Sequence, residues 1–295
     1  LLIVLSGSCL GTGYYAWRQL DLPINPGAIL SPPTVPPLAL APAIESEAIG
    51  TPESNPDATP PPLAPTVTLS GDAAVSEPEK NGSEIAAQLV TRPVEINGNL
   101  NEWAEFPDYQ SLYRVFNVDS WDRSDDVRAV WRLGWDQKNL YAAIQVEDDV
   151  HVQTQSGSTI FKGDGVSLQV DTQLDTDFGP GLSPDDYQIN LSPGDFAGNP
   201  PVAYRFRGDS SGNMIDMVGH DIQIAALPYG NGYTLEAAIP WSDIGVSPVP
   251  GLRMGITLNV NDNDTPGTAV QEVLMSHIAT RRFSDPSSWG MMILE

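Results

Sequence analysis

The sequence predicts an all-β domain, an antiparallel β-sandwich of jelly-roll type, behind an apolar N-terminal segment and a proline-rich linker. Three observations carry that prediction. Several short runs alternate apolar and polar residues with period two, the mark of strands that bury one face. Gly, Pro and Asn stand at their ends, where turns need them. Segments with helical period are almost absent.

The chain opens on LLIVLSGSCLGTGYYAW, apolar or small from Leu1 to Trp17, ending in aromatics and Arg18. Aromatic and basic residues at the end of an apolar run suit a membrane interface. A spanning helix needs about 20 such residues, and sequence ahead of Leu1 would supply the remainder. Residues 1–18 are therefore expected to be a transmembrane or signal-anchor segment, with a cleaved signal or a lipid anchor on Cys9 as the competing readings. From residue 19 to 84 prolines recur among Ala, Ser, Thr and Glu, as in Pro32-Pro33 and Pro60-Pro61-Pro62. Such composition buries too little apolar surface to offset ordering entropy, so a disordered, extended spacer is expected. Anchor, spacer and head together place the domain outside the cytoplasm, at a cell surface or in a periplasm.

The globular domain is expected over 85–295. Pro93–Ile96 reads as a short strand running into the Asn97-Gly98 turn, and Trp103 as a core residue. Ala129, Trp131, Leu133 and Trp135 share a face, as do Leu140, Ala142, Ile144 and Val146, which makes a hairpin around Asp136–Asn139. Trp121 stands in a polar loop, where an aromatic suits ligand contact. Two strands turn Val166, Leu168, Val170 and Tyr187, Ile189, Leu191 inward, and Tyr204–Arg207 forms another. Tyr233, Leu235, Ala237, Ile239 and Trp241 read as a strand buried on one face, and Ile256, Leu258 and Val260 as its successor. Phe283–Leu294 is a closing loop and strand.

Charge narrows the functions. The net charge of −24, with 14 basic against 38 acidic residues, disfavours nucleic acid, whose phosphates bind through Lys and Arg. A single cysteine excludes an intrachain disulfide. No Ser-His-Asp elbow or phosphate loop is present, so no enzyme is predicted. The outward residues Arg132, Gln145, Ser167, Gln169, Gln188, Asn190 and Asn259 are rich in amides. Amides donate and accept toward hydroxyls, and a sugar site adds an aromatic platform for the C–H face. An ordinary solvated face is the alternative that periodicity leaves open.

VEINGNLNEW, AVWRLGWDQKNLYAA, FKGDGVSLQVD, GYTLEAAIPW, GITLNVNDND and FSDPSSWG occur in that order between Val94 and Gly290. In these blocks the chain resembles the family 9 carbohydrate-binding modules and their relatives in the DOMON-like group. The resemblance implies an antiparallel β-sandwich that binds carbohydrate without catalysis. It implies that Phe161 and Phe283 stand where the family sandwiches a sugar between two aromatics, commonly tryptophans. Asp164, Gln188 and Asn190 are the implied polar contacts. A family Glu is replaced by Ser167 and a family Arg by Gln188, whereas Asn190 matches. Calcium, carried by some members, is the candidate cofactor, at Asp262 and Asp264 or at Asp171, Asp175 and Asp177. An envelope interaction module and a haem-binding domain using Met254 or Met275 with His277 are the alternatives.

Overall fold

The computed structural model describes residues 81–117, 126–174 and 179–295. The apolar segment 1–18, nearly all of the linker, Trp121, Asp175 and Asp177 lie outside the described residues. Fourteen strands make up the described fold, joined by loops and short 3-10 turns. In chain order they are β1 (Ile85–Leu89), β2 (Tyr109–Ser111), β3 (Tyr113–Phe116), β4 (Val127–Trp135), β5 (Asn139–Asp148), β6 (Gly165–Asp171) and β7 (Asp186–Ser192). They continue with β8 (Val202–Gly208), β9 (Met214–Met217), β10 (Gln223–Pro228), β11 (Gly232–Pro240), β12 (Arg253–Asp262), β13 (Val273–Ser276) and β14 (Gly290–Leu294).

The strand order is β10-β11-β5-β4-β1-β14-β12-β6-β7-β8-β9, with β13 on β12 and β3, and β2 on β4. The sheet folds over at β1, whose first residues pair with β14 and whose last pair with β4. Both pairings are parallel, so the sandwich is mixed rather than wholly antiparallel. One continuous core fills the space between the two faces, from Trp131, Leu133 and Ile144 on one side to Leu168, Ile189 and Leu258 on the other. Each such side chain contributes about 1.5–3 kcal/mol on full burial.

The hairpin of β4 and β5, the strands β6, β7 and β8, and the β11 and β12 cores fall where the alternation places them. Two expectations fail. Residues 93–96 form no strand: Val94 and Ile96 pack sideways onto Trp103, Tyr141, Ala143 and Ala238. Consequently β11 is buried on both faces, and Thr234 and Glu236 are inside the protein rather than in solvent. Glu236 accepts hydrogen bonds from Asn97 N (2.9 Å), Gly98 N (2.6 Å) and Trp103 Nε1 (2.7 Å), which satisfies its buried charge. Gly98 has φ +84°, and a Cβ there would stand 2.9 Å from Leu227 Cγ, so the turn requires glycine. Trp241 leaves the strand for a 3-10 turn but stays in the core, its Nε1 donating to Asp136 O at 2.8 Å.

Candidate functional site

Strand register gathers the amides on the outer face of β8, β7, β6 and β12. Asn190 faces Ser167, which faces Asn259, while Gln188 faces Gln169, which faces Thr257. These are alternate positions of adjacent strands, so each row crosses the sheet on one face. Gln188 Nε2 donates to Asn190 Oδ1 at 2.9 Å, and Asn259 Nδ2 to Thr257 Oγ1 at 2.8 Å.

A cavity of about 320 Å³ opens over this face. Its walls are aromatic and apolar (Phe116, Phe161, Phe206 and Phe283, with Met214 and Leu274), and its polar lining includes Ser167, Gln188, Asn261 and Arg281. Phe161 and Phe283, far apart in sequence, thus meet at one cavity. Phe161 is the penultimate residue of the 3-10 turn Gly157–Lys162, which Gln153 fixes by donating to Ile160 O (3.0 Å) and Asp164 O (2.8 Å). Phe283 is 46% exposed, yet its carbonyl accepts from the buried Gln169 Nε2 at 3.0 Å. The same amide accepts from Arg281 Nε at 2.9 Å, so one strand residue holds both ends of the Arg281–Phe283 loop.

Gln188 lines the cavity; Asn190 lies on the same face but is buried and not in the lining. Asp164 is elsewhere. Its carboxylate accepts from Val152 N and, at 2.8 Å, from Asn263 N, and His151 Nδ1 stands 3.3 Å away. The expectation of Asp164 as a contact in this cavity is therefore corrected: the strand-opening turn aims it inward. Seven lining residues escaped the sequence reading of the site: Phe116, Phe206, Met214, Asn261, Gln271, Leu274 and Arg281. Arg281 left no signal, since residues 283–284 turn rather than extend and alternation does not place its side chain.

Around Asp164 lies a buried acidic cluster. Asp148, Asp262 and Asp264 bring carboxylate oxygens within 4.8 Å of one another, and so do Asp126, Asp149 and Asp264. Burial, and then the neighbouring carboxylates led by Asp164, push Asp262 up to about 9. Burial, then Asp149 and Asp148, raise Asp264 to about 6. Burial opposes a charge on His151, but hydrogen bonds to Asp148 and Asp164 outweigh it and hold its pKa above the usual value. The oxygens Asp262 Oδ1 and Asp264 Oδ1 have no hydrogen-bond partner among the described residues. A hard divalent cation takes six to eight such oxygens, so the donor set fits calcium in kind. Asp171 is separate, facing Asp186 across β6 and β7.

The haem alternative loses its ligands. Met254 and Met275 are in the closed core, and His277 Nδ1 accepts from Leu258 N at 3.0 Å with its ring against Gly290.

Comparison with known proteins bears on the fold and the family. The chain is 24% identical over 225 residues to the exoglucanase XynX of Acetivibrio thermocellus and 26% identical over 166 residues to the endo-1,4-beta-xylanase A of Thermotoga neapolitana. These alignments cover 76% and 55% of this chain but 18% and 14% of the two enzymes, so the chain spans under a fifth of their length. A carbohydrate-binding module of family 9 from Caldicellulosiruptor kristjanssonii, solved with cellotriose, superposes with TM-score 0.53 at 19% identity, over 72% of this chain and 94% of that one. A carbohydrate-binding protein of Bacteroides uniformis, so described only provisionally, superposes with TM-score 0.52 at 13% identity, over 73% and 100%. The model of the carbohydrate family 9 binding domain-like family matches residues 96–295, and the chain belongs to that family.

Proposed function

We propose that the domain is a non-catalytic carbohydrate-binding module whose ligand occupies the cavity between Phe161 and Phe283. The observation that carries this reading is the convergence of two aromatic side chains on one cavity beside a sheet face built of amides. Aromatic faces cover the C–H side of a sugar ring, and amides answer its hydroxyls in both directions. The names of the two enzymes, and the cellotriose held by one structural neighbour, support a polysaccharide of glucose or xylose units as the ligand class. The acidic cluster takes calcium in this reading, which fixes the loops after β5 and β12 without touching the sugar. Residues 1–18 and the proline-rich stretch tether the domain to a membrane on its outer side, and the chain itself is not an enzyme.

Affinity electrophoresis of the full chain tests the site. Migration is expected to slow in gels containing xylan or hydroxyethylcellulose, and Phe161→Ala and Phe283→Ala are expected to migrate as if no polysaccharide were present. Unchanged retardation in both variants places the binding elsewhere.

A further inference from the structure

The charge pattern of the cavity is unlike that of the rest of the molecule. Three other surface cavities each include a carboxylate in their lining: Glu84 and Asp108 in one, Glu102 and Glu105 in a second, Asp136 in a third. The Phe161–Phe283 cavity has none, in a chain with 38 acidic residues, and its sole charged lining residue is Arg281.

Arg281 differs from five of the other described arginines; Arg207 likewise donates to a carbonyl, of Pro184, and lies over the Tyr187 ring, but away from this cavity. Arg128, Arg132, Arg205, Arg253 and Arg282 each face a carboxylate, of Glu147, Asp108, Asp243, Glu84 and Asp285 respectively. Arg281 spends its Nε on the neutral amide oxygen of Gln169, and its guanidinium carbon lies 5.8 Å from the centre of the Phe283 ring. Among the described residues its two terminal nitrogens make no hydrogen bond or ion pair. Burial lowers its pKa to about 10, and no carboxylate offsets that shift. A desolvated cation thus stands at an aromatic cavity, and among the described residues no anion faces it. A guanidinium presents its remaining N–H groups as a planar fork that matches a carboxylate or sulfate in two parallel bonds. An uncharged hydroxyl answers one of those donors and leaves the charge uncompensated.

We propose that this cavity selects sugars bearing an acidic group, a carboxylate or a sulfate ester, and that Arg281 is the residue that pairs with the acid. The inference rests on the reading of the cavity as a sugar site. Phe161 and Phe283 take the ring, and Gln169 positions the guanidinium from below. Neutral sugars enter the same cavity without the ion pair, so the preference is a matter of degree.

Titration calorimetry on the full chain, with glucose, glucuronic acid, glucose 6-sulfate and benzoate as probes, separates the possibilities. At least one acidic sugar is expected to bind ten-fold or more tightly than glucose, and the carboxylate and sulfate arms tell which acid the fork fits. Arg281→Gln is expected to bring the acidic sugar down to the affinity of glucose, and Arg281→Lys to retain part of the preference. The comparison within the wild-type protein stands even where a variant does not fold. Equal affinity for glucose and both acidic sugars overturns the acid preference while leaving the sugar site in place. Benzoate as tight as the better acidic sugar overturns both, marking a general anion site, and no binding by any probe does the same.

Discussion

His277, Arg281 and Phe283 lie close together in the chain but in different surroundings, and each behaves accordingly. The imidazole of His277 is packed against Gly290, and burial lowers its pKa to about 4. Its folded value is below the unfolded value of about 6.5, so the unfolded chain binds the proton more readily in between. The stability this neutral ring provides is complete above pH 6.5 and is lost as pH falls toward 4. The loss amounts to about 3 kcal/mol at one unit per 1.36 kcal/mol. Urea midpoints measured between pH 7 and pH 4 are expected to fall less for His277→Gln than for the wild type; identical slopes contradict the assignment. Phe283, by contrast, is half in solvent and held through its backbone. Truncating it removes little core, so Phe283→Ala is expected to shift the thermal midpoint by only about 1–2 °C. Phe161 and Phe283 were legible because the blocks around them carry the family resemblance. Arg281 was not, because its role depends on what fails to surround it, and a missing carboxylate has no sequence pattern.

At the scale of elements, alternation marks a strand but not what covers it. β11 alternates as though one face were solvated, yet residues 94–106 lie across that face and bury it. The same fact explains residues 93–96, whose apolar alternation serves packing onto a sheet rather than pairing within one. Short strands such as β2, β3 and β13 were invisible because three or four residues carry no measurable period, and β9 and β10 because their sequence is mixed. Asp164 was misplaced for a related reason: the sequence shows a strand opening but not the direction of its first side chain. Glu236 joins these elements by receiving three donors. Glu236→Ala leaves all of them unanswered in the interior, at about 1–3 kcal/mol for each buried group. A loss of about 3 kcal/mol or more in equilibrium denaturation is expected, with Glu236→Gln intermediate. A change below 1 kcal/mol would show that the loop 97–103 is not fastened through this residue.

For the whole molecule the balance of charge matters most. Acidic groups from β5, β6, β12 and their loops converge at Asp148, Asp164, Asp262 and Asp264. Burial first, and then the repulsion among them, pushes Asp262 so far up. The sequence indicated Asp262 and Asp264, but not Asp126, Asp148 and Asp149, which only the fold brings beside them. A ligand that binds only the folded state stabilises it by about 4 kcal/mol at a thousand times its dissociation constant. Calcium at millimolar concentration is accordingly expected to raise the thermal midpoint by about 8–16 °C over a chelator-treated sample. Asp262→Asn is expected to abolish most of that difference, and a midpoint indifferent to calcium removes the ion from the account. Against this acidic background the Phe161–Phe283 cavity, with no carboxylate among its described lining residues, suits a sugar that carries its own charge.

The most direct test of the account is a glycan array probed with the full chain, wild type beside Phe161→Ala and Phe283→Ala, in the presence of calcium. The account predicts binding confined to a defined class of glycans and absent from both variants. A flat array from folded wild-type protein would contradict it and leave the domain as a module for protein partners.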